Sequence, residues 1–187
     1  VDMGAYEFQF YPLTVSLAGS GSGSVSGEGI SCGTDCTEVY ADGTAVTLTA
    51  IADSGSTFAG WSGVCTNTTG DCLVKMTAAK SVTATFTLDQ HTLSVSLVGN
   101  GSGTITSDPV GIDCSTAVGA DCDQIYDYGT VVTLTEAAAP GSSFSGWGGA
   151  CSDNLACVLP MTEPLSVTAG FNTLNLVLDL YLPLVSR

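Results

Sequence analysis

The sequence FAGWSGVC at residues 58–65 returns as FSGWGGAC at residues 144–151, and this pair of octapeptides decides how the rest of the chain is interpreted. The similarity extends upstream of both copies, since GTAVTLT at 43–49 corresponds to GTVVTLT at 129–135. Self-similarity at a long period is typical of tandem structural units. The chain is therefore predicted to contain one repeat twice.

Short alternating segments predict that each repeat is built from strands. LTVSL at 13–17 and LSVSL at 93–97 alternate apolar and hydroxyl residues, and VTATF at 82–86 does the same. Period-two alternation is typical of half-buried strands, and no window shows a convincing helical period. Together with 23 glycines that mark turns, the pattern predicts an all-β fold.

Four segments follow from the alignment of the two copies. We expect an N-terminal strand or linker at 1–12, repeat domains at 13–90 and 91–172, and a C-terminal apolar strand at 173–187. The insertions that separate the copies fall where turn residues occur, so the strands stay in register. The single histidine, His91, lies at the boundary and is interpreted as a linker residue.

The charge balance excludes several classes of partner. Eighteen acidic residues face three basic ones, for a net charge of −15. Such a chain repels phosphate backbones and anionic lipid, which argues against nucleic-acid binding. No apolar stretch is long enough to span a membrane. Weak Ca²⁺ binding is the only cofactor hypothesis, with Asp121, Asp123 and Asp127 as candidate ligands outside any EF-hand pattern.

Groups for catalysis are sparse in the sequence. A Ser or Cys nucleophile would have to use His91 as its base, and no Gly-x-Ser-x-Gly elbow occurs. The acidic positions Asp35, Glu38 and Asp42 partly recur in the second copy, which favours a shared structural loop over a single catalytic cleft. We therefore expect a protein that is not an enzyme.

Eight cysteines point to an oxidising compartment. Pairing within a repeat leaves three connectivities for each copy. Sequence-local pairs are favoured, because the loop inside each pair changes length between the copies while the segment joining the pairs keeps its register. A zinc site is disfavoured because no histidine lies near a cysteine. The predicted pairs are Cys32–Cys36, Cys65–Cys72, Cys114–Cys122 and Cys151–Cys157.

The ordered series of motifs resembles a known family. The glycine run, the cysteine pairs, the Thr-Leu-Thr strand, the Phe-x-Gly-Trp motif and the Ser-Val-Thr-Ala strand, found twice, resemble the divergent internalin-B-type bacterial repeat over 13–88 and 92–171. The resemblance implies a small β-rich module of secreted or surface bacterial proteins, without an active site. VDMGAYE at 1–7 resembles the closing strand of a right-handed parallel β-helix domain, which implies that the chain follows such a domain.

The two ends carry the assembly hypothesis. Six leucines alternate with other residues from 174 to 184, so an extended segment would have one apolar face about 36 Å long. Each end either completes a sheet of its own chain or donates a strand to the next subunit, giving a fibre. The residues of the predicted assembly strands are Leu174, Leu176, Leu178, Leu180, Leu182, Leu184, Tyr6, Phe8 and Phe10.

Two functions compete on these observations. The first is a non-catalytic extracellular or cell-surface structural or adhesive protein that assembles with itself. The alternative is an accessory module that binds carbohydrate or another surface through Tyr40, Tyr126 and Tyr128. An exposed aromatic row favours sugar binding, whereas buried aromatic side chains favour a structural role. Asn67 begins an Asn-Thr-Thr glycosylation sequon.

Overall fold

A computed structural model describes residues 9–174 except Val118 and residues 153–155. Over these residues the chain forms strands and turns, with no helix, which confirms the predicted all-β class. It divides into two compact units whose boundary in the sequence lies between Gln90 and His91. Within the described residues, no helix has the length and apolar character needed to cross a bilayer.

Unit 1 consists of eight strands in two four-stranded sheets. Sheet I has the order β4-β1-β8-β6 and sheet II the order β3-β2-β5-β7. The strands are β1 (Phe10–Gly19), β2 (Gly23–Ser26), β3 (Ser31–Cys32), β4 (Thr37–Ala41), β5 (Ala45–Ala52), β6 (Ser56–Gly63), β7 (Cys72–Lys75) and β8 (Lys80–Leu88).

Unit 2 repeats this topology strand for strand. Its sheet I has the order β12-β9-β16-β14 and its sheet II the order β11-β10-β13-β15. The strands are β9 (Gln90–Val98), β10 (Gly103–Asp108), β11 (Asp113–Ser115), β12 (Asp123–Asp127), β13 (Val131–Ala138), β14 (Ser142–Gly149), β15 (Cys157–Pro160) and β16 (Leu165–Thr173).

The core of each unit lies between its two sheets. In unit 1 the alternating residues Leu13 and Val15 of β1 are buried together with Val82 of β8, and they meet Val46 and Leu48 of sheet II. The buried side chains of the described residues are all apolar. Burial of a Val or Leu side chain stabilises the folded state by about 1.5–3 kcal/mol. The apolar positions of the alternating sequence are therefore the positions that form the core.

The Phe-x-Gly-Trp motif forms a β-bulge. In β6 the pairing with β8 shifts register between Phe58 and Gly60, and Gly60 has a φ of 139°. Residues three apart on a regular strand face opposite sides. The extra residue in the bulge shifts the alternation by one position. Phe58 and Trp61 therefore both face the core, with ring centroids 5.2 Å apart. Phe144 and Trp147 have the same arrangement at 5.0 Å.

The glycine runs after β1 and β9 lie against a phenylalanine. A Cβ added at Gly23 would be 2.4 Å from the Phe86 ring and 2.6 Å from the Ile51 carbonyl oxygen. At Gly103 the distance to the Phe171 ring would be 2.3 Å. Each of these glycines is therefore required by close packing, since any side chain would displace a phenylalanine ring that is only 1% exposed.

We expect Gly23→Ala to destabilise the protein because its methyl group overpacks the core beside Phe86. The expected loss is about 1–3 kcal/mol in the free energy of unfolding, which lowers Tm by roughly 4–8 °C per kcal/mol. Ser24→Ala is the matched control, because Ser24 is exposed in the same strand. Thermal denaturation of both variants checks this, and an unchanged Tm for Gly23→Ala would contradict the packing assignment.

Candidate functional site: the stapled edges of each repeat

Disulfides join the two sheets at their edges. Cys32 ends β3, an edge strand of sheet II, and Cys36 directly precedes β4, an edge strand of sheet I. The two cysteines are bonded, with their Cα atoms 4.2 Å apart. The peptide N–H of Val15 in β1 donates to the Cys36 carbonyl. The disulfide is therefore also linked to β1, a central strand of sheet I.

The opposite edge of unit 1 is closed in the same way. Cys65 follows β6, the other edge of sheet I, and is bonded to Cys72, which begins β7, the other edge of sheet II. Both lateral edges of the two-sheet unit are therefore covalently closed. We call these four bonds, two in each unit, the edge staples.

Unit 2 has the same two edge staples. Cys114 in β11 is bonded to Cys122 before β12, and Cys151 after β14 is bonded to Cys157 at the start of β15. The prediction of two disulfides in each half is confirmed, and each bond joins neighbours in the sequence. Sequence reasoning missed that every bond joins one sheet to the other. The signal was present, because each pair flanks a turn between two short strand patterns.

The loop inside the Cys65–Cys72 staple is held by polar contacts. The indole N–H of Trp61 donates to the Gly70 carbonyl at 2.9 Å, and the peptide N–H of Trp61 donates to the Asn67 carbonyl at 2.8 Å. The Asn67 side-chain nitrogen donates to the Thr69 carbonyl at 2.7 Å and to the Asp71 carbonyl at 3.2 Å. The Asn67 side chain thus stabilises the conformation of the loop. Glycosylation of Asn67 stays a prediction.

The tyrosines considered for sugar binding do not form an exposed row. Tyr40 and Tyr126 are only 8% and 7% exposed, and Tyr128 is half-buried, with its ring in a T-shaped arrangement with the His91 ring. The Tyr40 hydroxyl donates to the Glu28 carbonyl, and the Tyr126 hydroxyl lies 2.9 Å from the Ser107 hydroxyl oxygen. These contacts fix the neighbouring turns, which favours the structural interpretation.

The candidate calcium ligands are not gathered into a cluster. Asp123 and Asp127 are at the two ends of β12, which separates their Cα atoms by about 13 Å along an extended strand. Asp121 is paired through its backbone with Asp113. Among the described residues no group of three or more potential ligands is close enough to hold a metal ion.

Two of the predicted assembly residues fall within the described chain, and both are exposed. Phe10 begins β1 and is 59% exposed, while Leu174 directly follows β16 and is 52% exposed. The peptide N–H of Leu174 donates to the Gly141 carbonyl at 2.8 Å. Tyr6, Phe8 and the leucines from 176 to 184 lie outside the described residues, as does the β-helix-like segment at 1–7.

Comparison with protein families matches both repeats. The family model described as the divergent InlB B-repeat domain matches residues 13–90 and 93–175. The chain belongs to the divergent InlB B-repeat family. This finding confirms the two-copy repeat, whereas the preceding β-helix domain stays a prediction. A search of curated protein sequences finds no match.

One solved structure shares the fold at very low sequence identity, and another is similar more distantly. The Bacillus anthracis TIE protein is 10% identical with a TM-score of 0.52, and the match covers 88% of this chain and 34% of that protein. The major pilin protein T-13 of Streptococcus pyogenes is 9% identical with a TM-score of 0.41, covering 88% of this chain and 97% of the pilin. The B-repeat chain thus spans about a third of the TIE protein's length.

Removal of one edge staple is expected to destabilise its own unit. In the chain-entropy model, a disulfide that closes a short loop contributes about 2 kcal/mol. Replacing Cys65 and Cys72 by serine should therefore lower the unfolding free energy of unit 1 by roughly 2 kcal/mol. Replacing Cys32 and Cys36 as well should roughly double the loss, because the staples are on opposite edges. Chemical denaturation checks both values, with unit 2 as the internal control.

The alkaline stability of unit 1 should depend on Tyr40. Burial raises the pKa of the Tyr40 hydroxyl above its ordinary value of 10.0, and the carboxylates of Glu38 and Glu28 raise it further. The folded state therefore keeps its proton where the unfolded state loses it. This contribution to stability is complete below about pH 10 and is lost as the pH rises through the folded pKa.

Denaturation curves measured on either side of pH 10 check this for the wild type and for Tyr40→Phe. The variant lacks the ionising group, so the fall in its stability with rising pH should be shallower. The variant also loses the hydrogen bond to Glu28, so its slope with pH is compared, rather than its absolute stability. An identical slope in both proteins would contradict the assignment.

Proposed function

We propose that the chain is a non-catalytic structural or adhesive segment of an extracellular or cell-surface protein. One observation carries this proposal: both lateral edges of both units are closed by disulfides that join sheet to sheet. Such bonds persist in oxidising compartments outside the cytosol. Four covalent closures in small units favour a role in keeping shape over a role that requires an opening cleft.

The staples also determine how a partner strand would bind. Exposed edge strands invite pairing with other chains. In unit 1 the edge strands of the two sheets are held together by Cys32–Cys36 on one side and Cys65–Cys72 on the other. The core between them is filled by Phe86, Trp61 and their neighbours. A donated strand would therefore add alongside an edge and would not insert between the sheets.

The C-terminal segment is the proposed donor for head-to-tail assembly. Its first leucine, Leu174, directly follows β16, is exposed and donates a backbone hydrogen bond to the carbonyl of Gly141, in the turn before β14. An extended segment from this point would continue β16 as a longer strand. The remaining leucines share one side of such a strand. Covering such a row of leucines by a second subunit would favour association, since burial of each Leu side chain stabilises the complex by about 1.5–3 kcal/mol. One subunit would thus pair with an edge of the next.

Negative-stain electron microscopy and light scattering test the proposed assembly. We expect filaments from the complete chain, and monomers when Leu176, Leu178, Leu180 and Leu182 are all replaced by threonine. Threonine keeps strand propensity and removes the apolar face. The matched control replaces Asn175 and Asp179 by threonine, on the opposite side of the same strand, and should still assemble.

Two outcomes would overturn the assembly proposal. One is a complete chain that stays monomeric at high concentration, and the other is filaments from the leucine-to-threonine variant. The structural role itself is tested separately by limited proteolysis under oxidising and reducing conditions. We expect the oxidised units to resist cleavage, and cleavage at equal rates in both conditions would contradict the structural role of the staples.

A further inference from the structure

The first and last strands of each repeat are parallel neighbours. In unit 1, β1 pairs with β8 in register from Leu13 beside Lys80 to Gly19 beside Phe86. In unit 2, β9 pairs with β16 from Leu93 beside Leu165 to Val98 beside Gly170. In both units these strands are the two central strands of sheet I. We call each pair the terminal-strand pair.

This pairing fixes how tension along the chain acts on a unit. Because the two strands are parallel, the chain comes into β1 at one end of the pair and leaves β8 at the other end. Pulling the two ends of the unit therefore slides β1 and β8 along each other in opposite directions. The hydrogen bonds between them then carry the load together, whereas strands pulled apart from the same end would lose their bonds one at a time.

The hydrogen-bond pattern identifies the groups that carry the load. The Val15 N–H donates to Cys36, on the β4 side of β1. Successive peptide groups of a strand point to alternate sides, so the peptide groups of Thr14 and Ser16 face β8. Beyond the end of β1, the Gly21 N–H adds a further bond to β8 by donating to the Phe86 carbonyl at 3.0 Å. In unit 2 the Gly101 N–H donates to the Phe171 carbonyl at 2.9 Å.

Burial protects these bonds from water. Leu13 and Val15 on β1, and Val82, Ala84 and Phe86 on β8, are each at most 2% exposed. Sliding of the strands would pull all of these side chains out of their packing at once. A bond that breaks beside these buried side chains leaves polar groups without a partner, which is unfavourable.

The edge staples keep the neighbours of the terminal-strand pair in place. β1 is flanked by β4 and β8 by β6, and both flanking strands are stapled to sheet II. The bonded cysteines are only four to eight positions apart in the sequence, so each staple encloses little of the chain. The central pair therefore cannot lose its flanking strands by peeling while the staples are intact.

We propose that each repeat is a load-bearing module in which the terminal-strand pair resists tension by shear. This function goes beyond a structural or adhesive role, and it does not require assembly into filaments, because it acts on a single chain. The source of the tension would be any attachment at both ends of the chain, such as a cell surface at one end and a bound surface at the other.

Single-molecule force spectroscopy on the complete oxidised chain tests the proposal. Pulled through its two ends, the chain should show two rupture events, each releasing about 200 Å of chain. Reduction of the disulfides shows which event belongs to which unit. The length of chain released should increase by about 30 Å for unit 1 and by about 40 Å for unit 2.

A second pulling geometry provides the decisive comparison. Handles placed at Gln9 and at Ala78, in the turn before β8, lie at the same end of the terminal-strand pair and load its bonds one at a time. The rupture force of unit 1 pulled through the chain ends should be at least about twice that in this geometry, because several hydrogen bonds share the load. Equal forces in the two geometries would overturn the proposal.

A substitution gives an independent readout in the end-to-end geometry. Ser16→Pro removes an N–H that faces β8 and should lower the rupture force of unit 1 alone. Ser16→Ala keeps the N–H at the same exposed position and should leave the force unchanged. An undiminished force in folded Ser16→Pro protein would contradict the proposal. If this variant fails to fold, the comparison of the two geometries still decides.

Discussion

The parallel pair formed by the first and last strands is the constraint on which each repeat depends. Its partners are far apart in sequence, as the pairing of Leu13 with Lys80 shows. Contacts of this kind close long loops, which slows folding. The six strands between β1 and β8 in the sequence take the remaining positions in the two sheets. As a result, β4 and β6 are the edges of sheet I, and β3 and β7 are the edges of sheet II. The cysteines are placed where the chain crosses between these edges.

Local staples therefore complement a non-local fold. The disulfide between Cys32 and Cys36 joins residues four apart in the sequence and that between Cys65 and Cys72 joins residues seven apart, so each closes a short loop. A unit of about 80 residues buries a smaller fraction of its surface than a large domain does. Covalent closure of both edges offsets this thin core, at the positions where edge strands would otherwise separate first.

The sequence predicted the features that depend on local pattern. Alternation at 13–17 and 82–86 located β1 and β8, and the changes in loop length favoured the local cysteine pairs that the structure contains. Pairing between distant strands leaves no local signal, so the parallel arrangement and the sheet-to-sheet direction of the staples had to come from the structure. The bulge that turns Phe58 and Trp61 of the Phe-x-Gly-Trp motif to the same side also leaves no signal in the alternation of residues.

The differences between the two copies show which parts of the repeat tolerate change. The second copy is longer between Cys114 and Cys122 than the first is between Cys32 and Cys36, with separations of eight and four residues. Both copies nevertheless keep the terminal-strand pair, the edge staples and the glycine packed on a phenylalanine ring. Added residues lie in turns, where they do not disturb the ladder between the central strands. The shared features are those that hold the two sheets together, so the repeat preserves its resistance to opening while its loops diverge.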